Sequence, residues 1–372
     1  VRDLLVTTHT PVLRSGQAMR TYAVARALAE HRGLDLLFVR FGAVEPDEAF
    51  RTIAGVQLCE VLPSRGLRRL LAYAGARLNG VPKGFARGVS RELAERAGAL
   101  ADDAGRGRVI ADGPIAAAAL ARLARQRPVI YNAHNIESSF RHQLSGGTRA
   151  RKAMRAFERG LLERASESWM VSEPDLQAAH ELCPDARLRY APNAIDVEAI
   201  APVTPLTGAR NAIFVASFAY APNLDGLRFL LDEVFPLVWT QLPDARLTLV
   251  GAGLAQPPSS DPRVQALGFV EDLHSAYAQA SCAVVPLMQG GGSPLKLIEA
   301  LAHGLPVIAT RQAASRLHLR DGEHCLIADG GEQFAAALVR VLREGGGELG
   351  SRGRALVRER YSIEALAQLL AV

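Results

Sequence analysis

The chain has 372 residues, 49% hydrophobic and 22% charged, with 43 Lys+Arg against 38 Asp+Glu. That length suits two domains, each able to bury a core without disulfides or metals. No apolar run approaches the roughly 18 residues of a membrane-spanning helix, and the four cysteines, Cys59, Cys183, Cys282 and Cys325, form neither a CxxC pair nor a metal-ligand cluster.

In chain order, Leu4 to Thr8 is a short apolar run that follows Arg2 and Asp3 and leads into His-Thr-Pro. It reads as a buried strand and not as a secretory leader, so the expected compartment is the cytoplasm. Helical periodicity follows over Met19 to Glu30, and strands are expected at Asp35 to Phe41, Val56 to Leu62, Arg108 to Ala111, Val129 to Asn132 and Ser168 to Ser172. Helices are expected over Pro114 to Gln126, opened by its proline, and over Arg149 to Ala165. Tyr190-Ala191-Pro192-Asn193-Ala194-Ile195-Asp196 carries the turn residues of a domain junction. A second series follows: strand Asn211 to Ser217, helix Leu224 to Leu242, strands Arg246 to Gly251 and Cys282 to Leu287, helix Pro294 to His303, strand Pro306 to Thr310. The Gly-rich stretch Arg343 to Gly353 reads as a flexible joint before a last helix at Ser362 to Leu370. The alternation predicts α/β architecture with two doubly wound parallel sheets. The expected domains are 1–193, 194–355, and a C-terminal helix within 356–372 that returns toward the first domain.

Charge is uneven: residues 1 to 195 hold 29 Lys+Arg and 20 Asp+Glu, a net of +9, while 196 to 372 hold 14 and 18, a net of −4. The basic half either steers anionic substrates or an anionic leaflet toward itself, or is a solvated, Arg-rich surface. Arg65 to Arg91 interleaves Arg65, Arg68, Arg69, Arg77, Lys83, Arg87 and Arg91 with Leu67, Leu70, Leu71 and Tyr73. This basic amphipathic patch fits peripheral membrane contact or a lipid-linked acceptor, and equally a surface helix.

The most informative stretch is Gln289-Gly290-Gly291-Gly292-Ser293-Pro294-Leu295-Lys296-Leu297-Ile298-Glu299-Ala300, between an expected strand and an expected helix. Glycines let backbone approach a ligand, a helix N-terminus offers amide hydrogens to phosphate, Lys296 adds a cation in the first turn, and Glu299 one turn later can accept sugar hydroxyls. Lysine is also the unusual choice here, since Lys83, Lys152 and Lys296 stand against 40 arginines. Phosphate, cation and hydroxyl acceptor together describe a nucleotide-sugar site.

Ser293 through Thr310, with Pro192-Asn193-Ala194-Ile195-Asp196, Ala219-Tyr220-Ala221-Pro222-Asn223, Leu249-Val250-Gly251-Ala252-Gly253, Gly268-Phe269-Val270-Glu271-Asp272-Leu273 and Asp321-Gly322, resembles the donor domain of family-four GT-B glycosyltransferases. The first half resembles that family mainly at Pro11 to Arg20 and Tyr131 to Ser138. The resemblance implies two Rossmann-like domains facing an interdomain cleft, closure about the junction near Asn193, and a bacterial glycosyltransferase of glycan, glycolipid or natural-product glycoside synthesis. It implies a hexose carried on UDP or GDP, retention of configuration, and no obligatory metal or cofactor. Glu299 is then a ribose contact, the Gly291, Gly292, Ser293, Pro294 and Leu295 backbone meets the diphosphate, Val270 lies beside the base, and Asn223 is a further donor contact. On the acceptor or phosphate side the same reasoning selects Gly16, Gln17 and Arg20 in a strand-to-helix loop, and His134 beside the transferred sugar, with an ordinary structural histidine as the other reading. Two departures from the family pattern stand out: Gly291 where many relatives have a glutamate, and Phe218 to Asn223 where they often have an Arg and a Lys. A recognised subset shares the Gly-rich loop and the later lysine, so Lys296 is read as the substitute cation.

Other classes fit less well. Gly251-Ala252-Gly253 suggests NAD, but Gln256 and Pro257-Pro258 break the fingerprint. The pI near 9.2 permits nucleic acid, yet no recognition motif supports it. A sugar-nucleotide epimerase of the same build and a catalytically silent nucleotide-sugar binder remain as alternatives.

Overall fold

The computed structural model describes residues 1–103, 105–139, 147–205, 208–254, 258–290 and 293–371. Two compact units make up the chain: Val1–Ala194 together with Ile363–Val372, and Ile195–Ser362.

The first unit contains β1 (Arg2–Val6), β2 (Gly33–Val39), β3 (Val56–Val61), β4 (Arg106–Asp112), β5 (Ile130–Asn132), β6 (Glu167–Met170) and β7 (Leu188–Tyr190), in the order β3-β2-β1-β4-β5-β6-β7. All neighbours are parallel. Strands β1 and β2 are buried along almost their whole length, as helices on both faces of a parallel sheet require. The helix Gly16–Ala29 starts where the Ser15 hydroxyl caps the Ala18 amide at 3.2 Å. The last helix, Ile363–Leu370, lies against it, with Leu366, Ala367 and Leu370 in one core with Val24 and Leu28.

The second unit contains β8 (Asn211–Val215), β9 (Arg246–Val250), β10 (Val264–Gly268), β11 (Cys282–Val285), β12 (Val307–Ala309) and β13 (Leu326–Ile327), also parallel, in the order β10-β9-β8-β11-β12-β13. Both units are thus doubly wound α/β sheets. In each, the winding reverses at one place, between β1 and β4 and between β8 and β11, and loops diverging there leave a crevice at the carboxyl end of the strands.

Three expectations change. Leu224 to Leu242 is not one α-helix but Ala221–Phe229, a π turn Leu230–Val234 and Phe235–Gln241, because Pro236 has no amide to offer the regular ladder. Pro114 to Gln126 likewise breaks into a helix Gly113–Ala119 and a 3-10 turn Leu123–Arg125. The stretch Arg343 to Gly353 is not a flexible joint. Helix Gly331–Glu344 runs into it and helix Leu349–Arg360 leaves it, the latter packed on helix Leu295–Ala302. Its glycines serve close packing: a Cβ on Gly350 would sit 1.9 Å from the Gly304 carbonyl oxygen. The second unit therefore runs on to Ser362 instead of ending at 355.

Candidate functional site

In the second unit the loops after β8, β11 and β12 converge at the reversal point. Gly290 adopts φ +126, while Gly291 and Gly292, two of the expected donor contacts, lie outside the described residues. Ser293 is buried, and Pro294 caps the helix Leu295–Ala302. Lys296 points into the crevice. Its ammonium donates to Asn223 Oδ1 and lies 5.8 Å from the centre of the Phe214 ring. Burial pulls its pKa down to about 8, since few groups replace the water an ammonium loses. Asn223, at 3% exposure, is occupied at both ends of its amide, because its nitrogen donates to the Ser217 carbonyl at 2.6 Å. The expected donor contact is thus a brace between the β8 loop and Lys296.

A cavity of about 120 Å³ opens beside this brace, lined by Lys296, Pro294, Gly290, Tyr220, Gln312 and Arg316, among others. Its floor is fixed by Gln312, whose amide donates to the Gly290 carbonyl at 3.3 Å, and by the Thr310 hydroxyl on the Leu287 carbonyl. Glu299 does not line the cavity. Its carboxyl meets the hydroxyl of buried Tyr277, and burial raises its pKa to about 7 while that hydrogen bond opposes the shift. The Tyr277 ring lies against the His303 ring, centroids 4.3 Å apart, and His303 Nδ1 is 2.8 Å from the Glu299 carbonyl oxygen. Leu295 is half-buried in the first helical turn, and Val270, after β10, is half-buried against the core.

The first unit has its own polar cluster at its reversal point. Asp112, at the end of β4, is 2% exposed and accepts from the Thr21 hydroxyl at 2.5 Å, the Asn132 amide at 2.7 Å and His134 Nε2 at 2.9 Å. Burial disfavours the carboxylate, but the His134 ring, the His9 ring and the Thr21 hydroxyl outweigh it and hold the pKa below the ordinary carboxylate range. An ionised Asp112 only accepts, so His134 donates to it from Nε2 and leaves Nδ1 as its other polar atom. That nitrogen is buried with no hydrogen-bond partner among the described residues. The ring comes this close because Gly113 has φ +84 and no side chain; a Cβ there would lie 3.0 Å from His134 Cε1.

Gly16 and Gln17 are exposed at the start of their helix. Arg20 is not beside them on the open face. It is 2% exposed and donates to Asn132 Oδ1, the Ala191 carbonyl and Asn193 Oδ1, at 2.5 to 3.2 Å. Burial lowers even its pKa to about 10. Arg20 is on the inward face of its helix with Ala18, Thr21 and Val24, so the residue expected to meet phosphate ties β5 to the segment that leaves the unit. Sequence reasoning missed Asp112, Asn132 and Arg316; Asp112-Gly113-Pro114 at a strand end was the signal for the first. Among the described residues, no three His, Cys, Asp or Glu side chains group as a metal site.

Residues 209–344 match the family described as glycosyl transferases group 1. A phosphatidyl-myo-inositol mannosyltransferase of Mycobacterium leprae is 31% identical over 183 residues, 46% of this chain and 46% of that protein. The Mycobacterium tuberculosis protein of the same name is 33% identical over 160 residues, 40% of this chain and 42% of that protein. This chain thus spans under half the length of the curated relatives it matches. Among solved structures, sucrose-phosphate synthase from Thermosynechococcus elongatus superposes with TM-score 0.73 at 18% identity, covering 100% of this chain and 97% of the other. The Anabaena protein HepE, in complex with UDP and glucose, superposes with TM-score 0.70 at 15% identity over 99% and 98% of the two chains. The second unit thus carries the match to the glycosyl transferases of group 1, and the chain over its full length shares the two-domain GT-B fold of these solved structures.

Proposed function

We propose that this protein moves a sugar from a nucleoside-diphosphate sugar, held by the second unit, to an acceptor hydroxyl presented at the first. The observation that carries this reading is Lys296: a half-buried side chain whose ammonium, braced by Asn223, opens on a cavity at the start of a helix and at the reversal point of the sheet. Negative charge grows on the diphosphate as it leaves, and a preorganised cation with helix amides stabilises that charge more than the ground state. Glu299, one turn along, is the ribose contact, with Ser293, Leu295 and Val270 completing the donor site. On the acceptor side Gly16 and Gln17 supply the open helix start, and His134 Nδ1 meets a hydroxyl of the transferred sugar. Arg20 acts by holding Asn132. Retention, with the leaving phosphate taking the acceptor proton, fits a cavity whose lining among the described residues includes no carboxylate to act as a nucleophile. The UDP bound to the structurally similar HepE supports a uridine or similar donor.

The acceptor class follows from the surface. The helix Gly66–Leu78 exposes leucines and arginines together, and the mannosyltransferase relatives are named for a phosphatidyl lipid, so a lipid-linked acceptor reached by peripheral membrane contact is the favoured one.

The test is thermal stabilisation by UDP, GDP, ADP and dTDP, on the wild type and on Lys296→Ala, followed by turnover of the matching nucleotide sugar. One diphosphate should stabilise the wild type by several degrees, and Lys296→Ala should abolish that shift and lower turnover about 100-fold while its own melting temperature changes little. A parallel loss of melting temperature and turnover would make Lys296 structural.

A further inference from the structure

The loop after β8, Phe218 to Asn223, contains no cation, and Phe218 itself is fully buried. Lys296 therefore faces a doubly charged pyrophosphate diester with one ammonium. The structure supplies another cation in the same lining. Arg316 lines the same cavity as Lys296 and is 8% exposed.

Its placement is built. Strands β11 and β12 are neighbours in the sheet, so the loops that leave them open on one crevice. The loop after β11 delivers Lys296; the loop after β12 delivers Arg316, on the 3-10 turn Ser315–Leu317. Leu317, fully buried, faces the core, and its carbonyl accepts the Tyr361 hydroxyl at 2.7 Å. The turn ends on His318 in the left-handed region, φ +49, which stops it directly after Leu317.

We propose that Arg316 is the second cation of the donor site, its planar guanidinium gripping the diphosphate together with Lys296. A fork of parallel N–H donors suits two phosphate oxygens at once, which an ammonium does not, so the pair divides the work into a fork and a point charge. The proposal rests on the donor-site reading above and adds to it the residue that replaces the missing cations of the β8 loop.

Calorimetric titration separates the two. The nucleoside, its monophosphate and its diphosphate, with the base chosen by the stabilisation screen, are titrated into wild type, Arg316→Met, Arg316→Gln and Arg316→Lys, each checked for folding by its melting curve. Diphosphate affinity is expected to fall at least about 30-fold in the Met and Gln variants, with nucleoside affinity within about twofold and partial recovery in Arg316→Lys. A folded Met or Gln variant with an unchanged ratio of diphosphate to nucleoside affinity overturns the proposal. So does a crystal structure of the wild type with the diphosphate in which Arg316 reaches no phosphate oxygen, a measurement open even if the variants do not fold. A wild type that binds no nucleoside diphosphate removes the donor-site reading itself, and Arg316's part with it.

Discussion

Glu299 and Lys296 sit one helical turn apart and are perturbed in opposite senses by the same cause, burial without a countercharge. Each shift has a consequence for stability. Glu299 has its folded pKa raised to about 7, above the 4.5 of the free group, so it favours the folded state at low pH and that contribution is lost as pH rises through about 7. Lys296 has its folded pKa lowered from 10.5 to about 8, so above pH 8 it is neutral in the folded protein while the unfolded chain still binds its proton; stability from this group rises with pH between those values. Glu299→Gln, which cannot ionise, should remove the loss seen between about pH 5 and about pH 8, an effect of at most on the order of 3 kcal/mol. Urea midpoints for wild type and variant at the two pH values measure it; identical pH dependence would mean that burial does not raise the pKa of Glu299. Donor binding should need the charged Lys296 and weaken above pH 8.

At the scale of elements, the segment Arg343 to Gly353 shows how composition misleads. Five glycines and several charges over a short stretch read as slack chain, but the residues that decide its state are elsewhere in the sequence: Gly304, Pro306 and Leu301, against which Gly350, Gly346 and Gly353 pack too closely for a Cβ. Glycine was selected by the neighbour and not by the turn. Gly350→Ala sets a helix-propensity gain of about 1 kcal/mol against a backbone clash, and overpacking of this kind costs about 1 to 3 kcal/mol or more. The expected result is net destabilisation, read as a lower urea midpoint; a variant as stable as wild type would show that helix Leu349–Arg360 is not seated on helix Leu295–Ala302 and the turn that follows it. By contrast, the helix that carries Lys296 was legible to within a residue at each end, because its strand, glycines, proline and apolar face all lie within one short segment.

At the scale of the whole molecule, the net charge of +9 on residues 1 to 195 coincides with an unusual face. On helix Gly66–Leu78, Leu67, Leu70, Leu71 and Leu78 are 71%, 65%, 56% and 88% exposed, a stripe at helical spacing that buries only Ala76. Arg65, Arg68, Arg69 and Arg77 are exposed alongside. Leu13, Phe41 and Val44, in the loops after β1 and β2, are exposed too, and those loops are joined by Leu13 N to Asp47 and Phe41 N to the Thr10 hydroxyl. All follow the carboxyl ends of adjacent parallel strands, the end of the sheet where Gly16, Gln17 and His134 lie. Apolar residues ringed by cations suit an anionic interface, and none of the described helices is long and apolar enough to cross one. The protein should sediment with vesicles containing phosphatidylglycerol at low salt, and Leu70→Glu with Leu71→Glu should cut that partition about tenfold or more with an unchanged melting temperature. Absence of wild-type binding to anionic vesicles would rule out the membrane contact.

The sequence alone determined what is written in short-range pattern: strand-length apolar runs alternating with helical period give doubly wound α/β units, and the glycine loop with Lys296 and Glu299 marks the start of the helix at the candidate donor site. It did not reveal β10, whose residues are largely exposed and carry no apolar period, or β7, which is three residues long. Nor could it say which polar residues face inward. Arg20 pairs with Asn132 across 112 positions and Lys296 with Asn223 across 73, so whether each meets a ligand or a neighbour was decided only when the sheets assembled. Arg316 reached the cavity by the same route. A side chain's direction at a loop or helix start depends on strands distant in sequence, and that information exists only in the tertiary structure.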